Sequence, residues 1–195
     1  MTESRLGAAR SVLISIGSNI EPERNLVAAV EILDAESDLR RVSRVFATRP
    51  VGDKPMPAFL NAAVELRTRS GPRELRRSVL RRIEHRLGRV RGEDRNAPRT
   101  IDLDIAVFGD LVLEEVDLTL PDPEILTRAH VAVPLADVAP EMRHPVDGRR
   151  LGEIGAALDD PDAVRPAPDA EALRVACPHV GLRRERSRGA TGEGR

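Results

Sequence analysis

From residue 11 to residue 108 the apolar positions repeat with a strand period and a helix period in turn, and each change of period marks an element. Val12 to Ile16 reads as a buried strand running into Gly17-Ser18-Asn19, after which Glu21-Pro22-Glu23 opens an amphipathic helix carrying Leu26, Val30 and Leu33. Leu39 to Ala47 alternates as a second strand, and the Pro- and Gly-rich stretch from Thr48 to Pro57 is a long loop, commonly a functional feature of compact domains. Phe59 to Leu66 returns as a third strand. Gly71-Pro72 then leads into an arginine-rich helix with Leu75, Val79, Leu80, Ile83 and Leu87 on its apolar stripe, and Ile101 to Phe108 is a fourth strand. The order β-α-β-β-α-β is the ferredoxin-like pattern, an α+β fold whose sheet is covered by helices on one face.

Leu120 to Arg128 predicts a turn and a short helix, Val131 to Val138 an apolar segment packed under it, and Leu151 to Leu158 a last helix that completes a three-layer arrangement. The expected organisation is a flexible N-terminus over 1–10, one domain over 11–158 and a loose tail over 159–195. That tail is rich in Pro, Ala, Arg and Gly and has too little apolar surface to offset the entropy of ordering.

A chain of 195 residues is enough for one well-packed domain and short for two. Its net charge of -1 argues against a general affinity for nucleic acid or for an anionic membrane. Cys177 is the single cysteine, so no internal disulfide can form, and no secretion signal or membrane-spanning run is evident, which predicts a cytoplasmic protein. Lys54 is the only lysine among 31 Lys and Arg residues. A coding preference explains that skew as well as phosphate binding does, so the order of the arginines carries more than their number.

That order is most informative between Gly88 and Ile105. Arg89, Arg91, Arg95 and Arg99 precede Asp102 and Asp104, two carboxylates on the same side of a strand and roughly 7 Å apart along it. The odd positions Ile101, Leu103, Ile105 and Val107 form the opposite, apolar face. Such an acid pair suffices for Mg²⁺, which takes one or two protein carboxylates and leaves its other positions to water and phosphate. Guanidinium forks match phosphate oxygens bidentately. Pro98 holds the residue before it extended, which suits a rigid loop delivering Arg99 beside the acids. Taken alone, an Asp-x-Asp on a strand is usually a solvated face.

Several segments together resemble one family. Ser15 to Asn19, Thr48 to Gly52, Phe59 to Val64, Gly88 to Arg91, Ala97 to Asp104 and Leu120 to Pro123 follow the order and spacing of the hydroxymethyldihydropterin pyrophosphokinases of folate synthesis, across about residues 11 to 158. The resemblance implies transfer of the β- and γ-phosphoryl groups of ATP, as a unit, to the hydroxymethyl oxygen of the dihydropterin, leaving AMP. It implies Arg91, Arg99, Asp102 and Asp104 as catalytic residues, with two Mg²⁺ on the two acids. It places Glu84, Arg89, Arg91, Arg99, Ile105, Asp122 and Arg128 around ATP, and Thr48, Val51, Phe59, Asn61 and His130 around the pterin. Read without the family, Glu84 is equally an exposed helix carboxylate, Phe59 and Asn61 are core and strand-end residues, and His130 is a packing histidine.

The chain also departs from the pattern. Asn96-Ala97 stands where many members have Trp-Gly, Asp122 where many have His, and His130 where the second stacking aromatic is expected. The first two changes remove groups that contact nucleotide; the third points either to weaker pterin binding or to a modified pterin. The loops 17–22, 48–57 and 88–98 are the expected lids, since transfer to an alcohol competes with transfer to water. The expected partners are the small molecules ATP and the dihydropterin, with no nucleic acid and no membrane, and the sequence does not indicate whether a protein partner exists. A base-binding module on the same fold would need exposed aromatics, and the chain has 3 Phe, no Tyr and no Trp. A two-metal nucleotidyltransferase remains the chemical rival, with pyrophosphate rather than AMP as product.

Overall fold

The computed structural model describes residues 8–48, 57–90 and 97–167. Its elements are β1 (Arg10–Ser18), α1 (Pro22–Glu36), β2 (Asp38–Val42), β3 (Phe46–Thr48), β4 (Phe59–Thr68), α2 (Pro72–Leu75), α3 (Arg81–Arg86), β5 (Asp102–Phe108), β6 (Leu113–Glu115), β7 (Leu118–Leu120), α4 (Ala129–Val138), α5 (Leu151–Leu158) and β8 (Val164–Pro166). A π-helical segment, Arg76–Leu80, joins α2 to α3. The main sheet runs β5-β1-β4-β3-β8 with β2 also on β4, every neighbouring pair antiparallel.

The central strands are buried on both sides, which is why β1 reads as an almost unbroken apolar run. Val12, Ile14 and Ile16 point into a core shared with Leu26, Val30 and Leu33 of α1 and Ile83 of α3. Leu13 and Ala63 point the other way, onto Val131, Leu135 and Val138 of α4 and Ile154 of α5. Helices therefore cover both faces, where the order of the first six elements predicts one. The second layer comes from α4 and α5, which lie beyond that repeat in the chain.

Four further differences have local causes. The single strand expected over Leu39–Ala47 is two, because Ser43 interrupts the ladder. Its hydroxyl accepts the Ala63 N–H at 2.8 Å, and the Arg44 N–H goes to Asp137 instead of to the sheet. In β5 the register against β1 slips by one residue, Leu13 facing Val107 and Ile14 facing Ile105. That bulge moves Val107 off the Ile101-Leu103-Ile105 face and onto the α4 side with Ala106. A small hairpin, β6–β7, follows the turn at Gly109, whose φ of 57° favours glycine. Lastly β8 lies within the stretch assigned by composition to the tail. Asp160 builds the turn that launches it, its side chain accepting from Asp162 and its carbonyl from Ala163 and Val164. The tail from 168 onward lies outside the described residues.

Candidate active site

Directly opposed residues in an antiparallel sheet project to the same side. Gly17 faces Asp102 on one neighbour and Asn61 on the other, and Asn61 faces Phe46. Asp102, Gly17, Asn61 and Phe46 thus form one row across the sheet, on the α4 side. The next rows hold Asp104, Ser15 and Ala63 towards α4, and Thr48 with Phe59 at the open end. A Cβ on Gly17 would stand 3.3 Å from Asn61 Oδ1. The floor between the acids and Asn61 is bare main chain as a result.

Asn61 is buried and donates through Nδ2 to Thr48 Oγ1 at 3.0 Å and to the Phe46 carbonyl at 3.5 Å. Its Oδ1 is the atom nearest the Gly17 gap. Phe59 is half-buried, with the Arg99 guanidinium 5.6 Å from its ring centroid. The cationic and aromatic residues expected for two different substrates thus meet at one place.

Arg89 reaches the acids through a helix terminus. Gly88 takes φ 76° after α3, the Gly88 N–H bonds the His85 carbonyl, and the Arg89 N–H bonds the Glu84 carbonyl. This Schellman pattern turns the chain back over β5. Arg99 is fixed from the other side: its N–H donates to Asn19 Oδ1 at 2.7 Å, its carbonyl accepts from the Asn19 and Ile20 N–H groups, and Ser18 Oγ donates to the Thr100 carbonyl. Asp102 sits between the two, with Arg89 Nη1 on Oδ1 and Arg99 Nη1 2.5 Å from Oδ2. Ser18 and Asn19, both buried, are site residues that the chemistry of the acidic strand did not point to. Two hydrogen-bonding side chains directly after a buried strand were the available signal.

Glu84 is neither the exposed carboxylate nor a residue open to a ligand: at 2% exposure it lies under β5, accepting the Leu103 N–H at 3.0 Å. Arg81 and Arg89 stand 3.4 and 3.6 Å from it. Burial pushes its pKa up to about 8, against the pull of the Leu103 N–H and Arg89. For Asp102 burial works upward too, but Arg89 and Arg99 outweigh it and hold the group below its ordinary value. Asp104 rises to about 7, first because the walls of the cleft displace solvent and then because Asp102 and Asp122 repel its charge. It is nevertheless open to water on one side.

Asp122 is half-buried, caps the 3₁₀ turn Pro123–Leu126 by accepting the Glu124 N–H at 2.8 Å, and is itself raised by burial. Arg128 is exposed just before α4. His130, in the first turn of α4, has Nε2 3.8 Å from Glu124 Oε2, and its pKa is lowered, chiefly by burial. The Ile105 side chain is 4% exposed and lies in the core on the far side of the sheet, so only its main chain is left to meet a nucleotide. Val51, Arg91, Arg95 and Asn96 lie outside the described residues. Among the described residues no three His, Cys, Asp or Glu gather as metal ligands.

Residues 13–140 match the model of a family described as 7,8-dihydro-6-hydroxymethylpterin-pyrophosphokinase (HPPK). A 2-amino-4-hydroxy-6-hydroxymethyldihydropteridine pyrophosphokinase of Pseudomonas aeruginosa is 40% identical over 149 residues, 75% of this chain and 90% of that protein. Its namesake from Bacillus subtilis is 39% identical over 132 residues, 66% of this chain and 78% of that protein. A crystal structure of a Plasmodium falciparum HPPK-DHPS triple mutant superposes with a TM-score of 0.60 at 15% identity, over 80% of this chain. This chain spans 46% of that protein's length. With the fold shared, the relatives this close and the model matched across the sheet and α4, the chain belongs to the 7,8-dihydro-6-hydroxymethylpterin-pyrophosphokinase family.

Proposed function

We propose that this protein transfers the terminal diphosphoryl group of ATP to the hydroxymethyl oxygen of 6-hydroxymethyl-7,8-dihydropterin, giving AMP and the pterin diphosphate used in folate synthesis. The observation that carries this reading is the row Asp102-Gly17-Asn61, which sets one acid of the pair and a neutral amide on one floor with a gap between them. The strand order β5-β1-β4-β3 supports a ferredoxin-like reading of the sheet, with α4, α5 and β8 added to it.

The Asn61 amide carries a donor and an acceptor without charge, as only Asn or Gln can: Oδ1 faces the Gly17 gap, and an N–H becomes available to the heterocycle edge once it leaves Thr48 Oγ1. Thr48 and the Phe59 ring complete that end, with Val51 and His130 as further contacts. At the other end Arg89 and Arg99, with Arg91 and Arg128, grip phosphate oxygens and neutralise charge growing on the bridging oxygen to the α-phosphate. The donor chemistry suits Mg²⁺: Asp102 and Asp104 would hold it through hard carboxylate oxygens, and Asp104, raised by burial and then by the charge of Asp102, would be favoured in its ionised form once a divalent cation is bound. Bound there, Mg²⁺ would polarise the phosphoryl oxygens and neutralise charge as it builds. Since Arg89 and Arg99 occupy both Asp102 oxygens, these guanidinium groups must turn to phosphate when the acid turns to metal.

Incubation with ATP, the dihydropterin and Mg²⁺ tests the reading directly. AMP and pterin diphosphate are the expected products; release of pyrophosphate would make the protein a nucleotidyltransferase instead. The acid limb of the reaction supplies a second check. Because Asp104 must be ionised to hold metal, kcat/KM at subsaturating Mg²⁺ should fall as pH drops through about 7, and the limb should move to lower pH as Mg²⁺ is raised. Asp122→Asn keeps the cap but removes one of the charges that raise Asp104, so this limb should move to lower pH. A limb that stays in place would show that Asp122 does not act on Asp104.

A further inference from the structure

Strand β8 is the last element among the described residues and has a role of its own. It lies along β3, with Val164 opposite Thr48, Arg165 opposite Ala47 and Pro166 opposite Phe46. Both of its ends are pinned, by the Asp160 turn before it and by the Ala167 N–H bonding the Val45 carbonyl at 2.9 Å after it. Strand β3 has three residues, ends at Thr48 and has only β4 on its other side. Without β8 it would be a short sheet edge.

The side chains extend the argument. Val164, 3% exposed, joins Phe46 of β3 and Val133 of α4 in a small core of its own, with Ala129 of α4 packed against it. One wall of this core carries Thr48, which receives the Asn61 amide; the other is the start of α4, where Ala129 is followed by His130. Asp102, Asp104 and Arg89 are placed by β5, β1 and the turn after α3, and none of these contributes to this core.

We propose that Val164 is a positioning residue for the pterin end of the site: packed between Phe46 and Val133, it holds Thr48 and the first turn of α4 at a fixed separation, independently of Asp102, Asp104, Arg89 and Arg99. The proposal rests on the reading of Thr48, Asn61 and His130 as the pterin contacts. Its chemical content is a division of labour, in which the last strand sets heterocycle affinity and the acidic strand sets chemistry.

Full-length Val164→Ala, Val164→Thr and Val164→Ile test it, each checked for folding by circular dichroism. Val164→Ala empties part of the small core, and Val164→Thr keeps its shape but buries a hydroxyl. Both should raise the KM for the dihydropterin about fivefold or more, roughly 1 kcal/mol. Binding of a non-hydrolysable ATP analogue and kcat at saturating pterin should stay within about twofold. Val164→Ile should behave nearly as the parent does. The proposal is overturned if both substrates weaken together, or if melting temperature falls while pterin KM does not move. If the parent chain itself forms no AMP from ATP and the pterin, the assigned function fails first, and that outcome is seen before any variant is made.

Discussion

Asp104→Asn is expected to abolish most turnover, lowering kcat by about a thousandfold, while making the fold no less stable. The carboxylate stands on the open side of β5 beside Asp102, and its pKa is pushed up to about 7 by the cleft walls and by the charges of Asp102 and Asp122. A carboxyl group held above its unfolded value opposes folding once it ionises. The folded state keeps the proton that the unfolded state has already released, so stability falls as pH rises from the usual carboxylate range towards 7, then levels off. Asparagine removes that penalty together with the charge proposed to hold the metal. Thermal melts at pH 8 should therefore place the variant at or above the parent, with AMP formation almost gone. A variant that keeps more than a tenth of the parent rate would take Asp104 out of the reaction.

Arg89→Met should cost about 3 kcal/mol of stability above pH 8 and distinctly less near pH 6. Methionine replaces the stem of the side chain but leaves two acids in a poorly solvated place with one cation fewer. Asp102 would keep Arg99, and Glu84 would keep the Leu103 N–H and a longer contact to Arg81. The pH dependence comes from Glu84, whose pKa lies at about 8. Below that value the carboxyl is neutral and does not need Arg89; above it a charge is stranded under β5. Urea unfolding of both proteins at pH 6 and pH 9 measures the difference. Equal losses at the two pH values would mean that Glu84 and Arg89 are not coupled as their geometry implies. Activity should fall at both, since Arg89 is also one of the groups offered to phosphate.

Much of this site could be read in the chain because strand alternation decides which side chains share a face. Asp102 and Asp104 do lie together on the side opposite Leu103 and Ile105, and Asn61 lies on that same side across β1. What escaped the sequence was set by single hydrogen bonds and by distant packing. Ser43 splits one expected strand because its hydroxyl takes a ladder bond, which no periodicity records. Val107 changes face through a one-residue slip that depends on the partner strand. Glu84 occupies a helix position that pattern alone leaves exposed, yet the turn at Gly88 folds Arg89 over it and β5 closes above. Strand β8 is three residues long and ends in proline, so local propensity counts for little; it exists because β3 offers an edge and Phe46 and Val133 offer a contact.

The anchoring of residue 99 also has a bearing on which part of it moves. Its peptide groups are held by the Asn19 side chain and by two main-chain donors, and Thr100 is held by Ser18. Any exchange of its guanidinium from Asp102 to an incoming phosphate is therefore a turn about side-chain torsions over a stationary backbone. Rearrangement at this arginine therefore calls for breaking one ion pair and rotating one side chain, not for moving the main chain that carries it.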